Sequence, residues 1–479
     1  MGLQLALNTA RSSLLATSSQ IAASARNVAG ASDPAYSRKI ATLVTGEGTA
    51  RVVVTRATDA ALFARKLAAA SDAASGSARL DGLRTLAQTI GDAADKTSPA
   101  GRLGAFNAAL QAAANQPDNA DLARAAIDRA RELASGLNEA AQAVQAVRTD
   151  ADTALSASVS KVNDLLGQFD TANRAVMRGL AAGADVTDAL DDRDRILGSL
   201  AEEVGISTVE RAGGDMAIYT DGGVPLFERG ARSVVLNPAT ATTPATVVID
   251  GVAVTGADAP MPLESGRIAG LAALRDEPAA QYGAQLDAIA GALVDAFREG
   301  GGASGLTAKA GLFTVTADGS LPAGTANLAA LIAVNAAADP QKGGDAALLR
   351  DGGLNGAAYR QNPAGGDAAY PDRLNALTAA LSATRSLGAG TEIAATTSLA
   401  DFAAASAGWL EGQRKDASAK ADYQATLLTR ASTALSNAVG VNGDDETALT
   451  LQLERSYTAS AKILTIVDEM LRTLMEAVR

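Results

Sequence analysis

Residues 3–30 read LQLALNTARSSLLATSSQIAASARNVAG, and residues 443–479 read GDDETALTLQLERSYTASAKILTIVDEMLRTLMEAVR. Neither contains Pro, and each carries Gly only at one limit. In the first, apolar or small residues recur in alternating steps of four and three: Leu3, Leu7, Ala10, Leu14, Thr17, Ile21, Ser24, Val28. In the second the same rhythm picks out Leu453, Tyr457, Ser460, Leu464, Val467, Leu471, Leu474 and Val478. This spacing keeps one seam of a helix facing another helix. The opposite face of the last helix, Arg455, Thr458, Lys462, Thr465, Glu469, Arg472 and Glu476, is polar in the same period. Two such helices could pack on the chain's own core. Many of the stripe positions are small, however, so an isolated pair buries little apolar surface against the entropy of ordering it. Lateral neighbours are expected to complete it.

Composition narrows the rest. Hydrophobic residues make up 47% of the 479, but aromatics only 3%, so Ala and the aliphatics supply the apolar surface. Ala has the best helix propensity, which favours a mainly α chain. A net charge of −12 with no dense Lys/Arg run argues against nucleic acid, whose phosphates require a concentrated basic face. Without Cys or His there is no thiol nucleophile, no imidazole acid–base group and no ordinary zinc or copper site. The opening residues lack a basic n-region, and Asn8 and Arg11 interrupt any apolar h-region, so they read as mature sequence rather than a cleaved signal. No charge-free apolar run reaches membrane length, and no membrane insertion is expected.

Working inward, the first helix is expected over Leu3–Ala29, with Gly30 as its stop and Asp33-Pro34 as a turn. Short extended stretches at Ile40–Val44 and Arg51–Thr55 flank Gly46 and Gly48. Helical segments follow at Ala60–Gly91, Gly101–Asn115 and Asn119–Val147 (capped by Asp118 or Asn119), then in a piece carrying Val159, Val162, Leu165, Leu166 and Phe169. From Gly205 to Gly266 the texture turns to short β-favouring runs. Within them Thr246–Ile249 and Val252–Val254 across Asp250-Gly251 predict a hairpin with a type I′ turn. Helix returns over Ile268–Phe297 with a break at Pro278. The Gly-rich tract to Pro371 is expected to hold strands at Leu312–Thr316 and Leu328–Val334, and helix dominates from Leu374 onward.

Candidates for chemistry have plain alternatives. Asp185, Asp188, Asp191, Asp192 and Asp194 form the densest acidic cluster, but the glycine and terminal Glu of an EF-hand loop are missing. Asp191 and Asp192 stand four and three residues before Arg195, so a helix-surface ion-pair ladder is the simpler reading. Gly pairs near Gly213, Gly222 and Gly301 do not join a strand to a helix as a nucleotide loop would, and read as turns. Trp409 reads as a packing residue. No catalytic, cofactor-binding or metal residue emerges, and no enzyme activity or cofactor is expected.

The stretch 25–39, ARNVAGASDPAYSRK, resembles the N-terminal signature of bacterial flagellar axial proteins, approximately N-I-A-N-A-N-T-P-G-Y-S-R. It does so at Asn27, Val28, Ala29, Ala31, Pro34, Tyr36, Ser37 and Arg38. The tail resembles the C-terminal signature of the same group through Val439–Thr447, Tyr457, Ala459, Ala461-Lys462 and Asp468-Glu469-Met470. Tyr-Ser-Arg and the Gly-Val-Asn tail favour the hook–filament junction branch, the hook-associated protein 1 family. Phe106–Leu110 before Asn115-Gln116-Pro117, the Asp188–Asp194 run before Ile196-Leu197, and Ser265–Leu271 fit it too. A hook protein or another rod or junction protein is the alternative. Gly30, Ser32, Asp33 and Ala35 depart from the commoner Asn, Asn, Thr and Gly, and Ala35 loses easy access to φ > 0.

The resemblance implies a mainly α fold with a β-rich insert. Residues 1–45 with 436–479 would pair as an axial coiled coil (D0), 46–204 with 267–435 would form a helical body (D1), and 205–266 a small outward β domain (D2). It implies a secreted, non-enzymatic subunit of the flagellum at the hook–filament junction. Its partners would be copies of itself in a ring-like layer, the hook protein, hook-associated protein 3, and a flagellar export chaperone at the C-terminal helix. The assembly interface would be Leu3, Leu7, Leu14, Ile21, Val28, Tyr36, Leu453, Tyr457, Leu464, Val467, Leu471, Leu474 and Val478.

Overall fold

The computed structural model describes residues 2–46, 49–91, 96–240, 243–387, 390–394 and 396–477. Along the chain run α1 (Gly2–Gly30), β1 (Lys39–Gly46), β2 (Thr49–Arg56), α2 (Ala60–Ile90), α3 (Pro99–Asn115), α4 (Ala120–Ala181) and α5 (Thr187–Glu203). Strands β3 (Ile206–Glu210), β4 (Met216–Thr220), β5 (Pro225–Phe227), β6 (Val234–Asn237), β7 (Thr246–Ile249) and β8 (Val252–Ala253) follow. Then come α6 (Arg267–Asp276), α7 (Pro278–Ala296), β9 (Phe313–Thr314), α8 (Leu328–Leu331), β10 (Ala333–Val334), α9 (Leu348–Asp351) and α10 (Asp372–Ser382). The short β11 (Arg385–Ser386) and β12 (Thr396–Thr397) precede α11 (Leu399–Val439) and α12 (Gly443–Ala477). The protein is mainly helical, with small antiparallel sheets.

Two compact units emerge, one gathering Met1–Ser75, Ala157–Ala269 and Asp422–Arg479, the other Gly76–Ser156 and Gly270–Ala421. Their limits differ from boundaries at 45, 204, 266 and 435, because the β-rich insert groups with the terminal helices.

In the first unit α1 packs along α12 and against the β1–β2 ribbon. The insert forms two three-stranded sheets, ordered β3-β4-β5 and β6-β7-β8. Asp250 and Gly251 both take positive φ, 50° and 84°, so the β7–β8 hairpin turns as type I′, as its Asp-Gly pair predicts. The insert is stitched shut at its base. The Gly205 amide donates to the Ser265 carbonyl (3.1 Å), and the Asp221 carboxylate accepts from the Ser265 amide (2.9 Å) and hydroxyl (2.8 Å). Gly266 must be glycine there: its φ is +91°, and a Cβ would lie 2.5 Å from the Val204 Cα. Phe169 and Phe227 meet edge-on at 4.9 Å among buried Val162, Leu166, Ile218 and Leu226.

The second unit surrounds an aromatic triad in which Phe106, Phe297 and Phe313 lie 5.2–5.5 Å apart. Leu83, Leu86, Leu110, Ile127, Leu133 and Leu293 complete its centre. Ser98 caps α3 by accepting from the Gly101 amide (3.1 Å), with Pro99 in the first turn, so this helix starts earlier than the expected Gly101. Of the two candidate caps for α4, Asn119 serves: its Oδ1 accepts from the Asp121 (3.0 Å) and Leu122 (3.3 Å) amides. The two segments expected from Asn119 onward are one helix, 62 residues long.

The expected strand Leu328–Val334 is largely wrong. Leu328–Leu331 is a helical turn, because Asp287 accepts from the Asn327 and Ala329 amides, each at 2.8 Å, and only Ala333–Val334 pairs as a strand with β9. Trp409 packs half-buried on the core, its indole N–H donating to Glu392 (3.0 Å).

Candidate assembly site at the joined termini

The seam between α1 and α12 alternates small and aliphatic groups. Ala10, Ala16, Thr17, Ala23 and Ser24 are buried on α1, and Leu453 and Val467 on α12; Leu7, Leu14, Ile21, Ser460, Leu464 and Leu471 are half-buried. Of the residues expected at the interface, Val28 and Tyr457 remain exposed. The side chains of Leu3 and Leu474, and all of Val478, lie outside the described residues. Among the described residues, polar contacts cross the buried seam at Ser24: its hydroxyl donates to Glu446 Oε2 at 2.6 Å and lies 3.0 Å from the Thr450 hydroxyl. Glu446 sits in the first turn of α12, where the Asn442 side chain accepts from the Asp444 amide (3.1 Å) and a carboxylate is favoured by the helix dipole.

The two signature motifs meet in space. Asn27 is buried; its Oδ1 accepts from the Lys39 amide (2.7 Å) and the Tyr36 hydroxyl (3.0 Å), while its Nδ2 donates to the Lys39 carbonyl (2.9 Å). The Arg38 amide donates to the Val439 carbonyl (2.8 Å), joining Tyr-Ser-Arg to the segment before Gly-Val-Asn. Gly30 ends α1 without a left-handed φ. It is small because the Tyr36 ring lies where a Cβ would stand, 2.6 Å away. Ala35 also needs no positive φ, because Asp33 makes the turn: its Oδ1 accepts from the Ala35 amide (2.9 Å).

The acidic cluster is not the simple surface ladder expected from sequence. Asp192 does pair with Arg195 (3.1 Å), three residues on. Asp191, however, accepts from Lys39 and from Arg56 (3.0 Å), and Asp194 from Arg56 (2.7 Å). Asp188 lies 3.3 Å from Lys39 and Asp185 3.2 Å from Arg26. The Lys39 side chain is fully buried. Partial burial pushes the Asp185 carboxyl up, but the Thr187 hydroxyl and amide and Arg26 outweigh it and hold it below its ordinary value. At Asp194 burial prevails over Arg56 and keeps the carboxyl above its ordinary value. Burial, helped by Asp191, pushes the Tyr36 hydroxyl up to about 12. These groups hold secondary structure together; the arrangement offers packing and charge, with no nucleophile–base pair.

Sequence reading missed a second apolar row on α12. Leu449, Ile463, Ile466 and Met470 are left 43%, 52%, 56% and 53% exposed, flanking the seam. The signal was present: 449, 463 and 470 stand at multiples of seven, beside the scored stripe.

Comparison with known proteins gives this geometry its context. Residues 83–306 match the family model for the helical domain of flagellar hook-associated protein FlgK. Residues 433–477 match the flagellar basal body rod FlgEFG protein C-terminal model. The flagellar hook-associated protein 1 chains of Salmonella typhimurium and Salmonella typhi are each 28% identical over 210 residues, 43% of this chain and 38% of theirs. The chain thus matches under two-fifths of the length of these curated relatives. The flagellar hook junction protein FlgK from Burkholderia pseudomallei superposes with a TM-score of 0.44 at 22% identity, covering 53% of this chain and 47% of that one. A terminal helix pair carrying the rod-type C-terminal segment, joined to an FlgK-type helical domain, defines a flagellar axial structural protein rather than an enzyme. Within that class, the particular likeness is to hook-associated protein 1: residues 83–306 carry the FlgK-type helical domain.

Proposed function

We propose that this chain is a secreted structural subunit joining the distal end of the hook to the filament through hook-associated protein 3, and that copies of it assemble laterally through their terminal helices. The observation that carries this reading is the row Leu449, Ile463, Ile466 and Met470, left uncovered after α12 has packed on α1. Burying one such side chain contributes roughly 1.5–3 kcal/mol, so a layer of neighbours covering the row in every copy would gain substantially. In this reading 1–45 with 436–479 form the inner D0 layer as a coiled coil, 46–204 with 267–435 the D1 body, and 205–266 the outward D2 insert. The hook protein lies on one side of the layer and hook-associated protein 3 on the other. Before export through the type III channel, a chaperone covers the C-terminal helix.

A strain lacking the gene is expected to build complete hooks without filaments and to shed flagellin into the medium, seen by electron microscopy. Replacing it with a chain lacking 444–479 should leave that defect in place, and filaments on such cells would defeat the proposal. The rod-type match over 433–477 favours one alternative, a hook or rod subunit. In that case growth would stop before a complete hook appears.

A further inference from the structure

The ionic network beside α5 has its signs sorted by origin. The three cations reaching it come from the N-terminal segment: Arg26 near the end of α1, Lys39 opening β1 and Arg56 closing β2. The carboxylates they meet, Asp185, Asp188, Asp191 and Asp194, all lie in or just before α5. Arg193 of α5 adds its charge beside Asp194 but makes its hydrogen bonds elsewhere, donating to the Gly214 carbonyl (2.8 Å) and the Asn173 side chain (3.3 Å), with Glu210 at 4.0 Å. Signs that segregate across a contact belong to surfaces that dock, whereas ladders within one element mix them.

Strand register sharpens the point. Lys39 stands directly opposite Arg56 in the β1–β2 ribbon. Like charges in that relation oppose pairing, most of all when one of them is buried. Asp191 contacts both, so α5 supplies what the ribbon lacks at this end.

We propose that the β1–β2 ribbon is a charge-keyed strap: Asp191 holds it on α5, and loss of that single charge lets the ribbon separate while the insert sheets stay folded. The strap makes the join between the terminal helices and α5 a releasable one, whatever the protein's place in an assembly.

Residue-resolved hydrogen exchange on the full chain tests this, with β6–β7 in the same unit as internal reference. Asp191→Asn keeps the shape and removes the charge. It should speed exchange of the β1–β2 amides at least tenfold and leave β6–β7 unchanged. Adding Lys39→Met removes the opposed cation and should restore most of the protection. Unchanged β1–β2 exchange in the Asp191→Asn chain would overturn the proposal, as would β6–β7 rising in step or Lys39→Met failing to restore protection. Should Asp191→Asn not fold, Asp188→Asn, at an exposed partner of Lys39, is expected to speed β1–β2 exchange at least twofold. No change there would count equally against it.

Discussion

Asn27 grips the backbone of Lys39 from both sides, accepting from its amide at 2.7 Å and donating to its carbonyl at 2.9 Å. The side-chain amide carries its donor and its acceptor on separate atoms, one for each of these backbone groups. Asn27→Leu would leave both backbone groups buried and unpaired, at a cost of about 1–3 kcal/mol for each group orphaned. The first unit should therefore lose roughly 2–6 kcal/mol of stability, read from urea unfolding, while Asn27→Gln should fail to restore the spacing.

Gly30→Ala addresses the Tyr36 ring. The added Cβ would stand 2.6 Å from ring carbons, so the ring must move. Overpacking of this kind costs typically about 1–3 kcal/mol. A lower melting temperature for Gly30→Ala, largely relieved in a Gly30→Ala/Tyr36→Ala double variant, is the expected pattern. Additive losses would show that the two do not interact.

Alkali offers a separate test of Tyr36. Its hydroxyl loses a proton at about 12 in the fold, against 10.0 in the unfolded chain, because burial and then Asp191 disfavour tyrosinate. The unfolded state therefore deprotonates first as pH rises. The contribution is fully present below about 10 and disappears towards about 12. Stability measured across that window should fall less steeply in Tyr36→Phe than in the parent chain.

In the second unit the buried Glu299 accepts from Arg373 (3.0 Å), from the Gly353, Leu354 and Asn355 amides, and from the Asn355 side chain. Arg373→Met strands a buried carboxylate, for which a loss of about 3–5 kcal/mol is expected. Denaturant titration checks it, and a loss below about 1 kcal/mol, the scale of an exposed pair, would show that the site is wetter than it looks.

The uncovered row on α12 predicts the opposite behaviour. Ile463→Asp with Ile466→Asp touches side chains that are more than half exposed, so the isolated chain should melt as before. Cells carrying the variant should nonetheless fail to grow filaments. Normal filaments would mean that the row is not an interface.

Much of this was readable from local pattern. The seam on α1 and α12, the Asp250-Gly251 turn and the Asn119 cap each depend on residues a few positions apart, so periodicity and turn chemistry sufficed. What escaped depends on remote partners. The helical turn at Leu328 exists because of Asp287, and Asp191 looked like a partner for Arg195 until the fold brought Lys39 and Arg56 to it. The second row on α12 escaped for a different reason: it lies on the flank between the apolar seam and the polar face opposite, where neither repeat reaches.

Along the seam of α1, Leu7, Leu14 and Ile21 alternate with Ala10, Thr17 and Ser24, a repeat that by itself barely distinguishes one alignment of the helices from another two turns away. The buried Ser24–Glu446 bond breaks that ambiguity, because sliding would part the two groups and leave the carboxylate dry and alone. A single hydroxyl thus marks the zero on an otherwise ungraduated scale, and every copy of the chain aligns its two helices from the same origin.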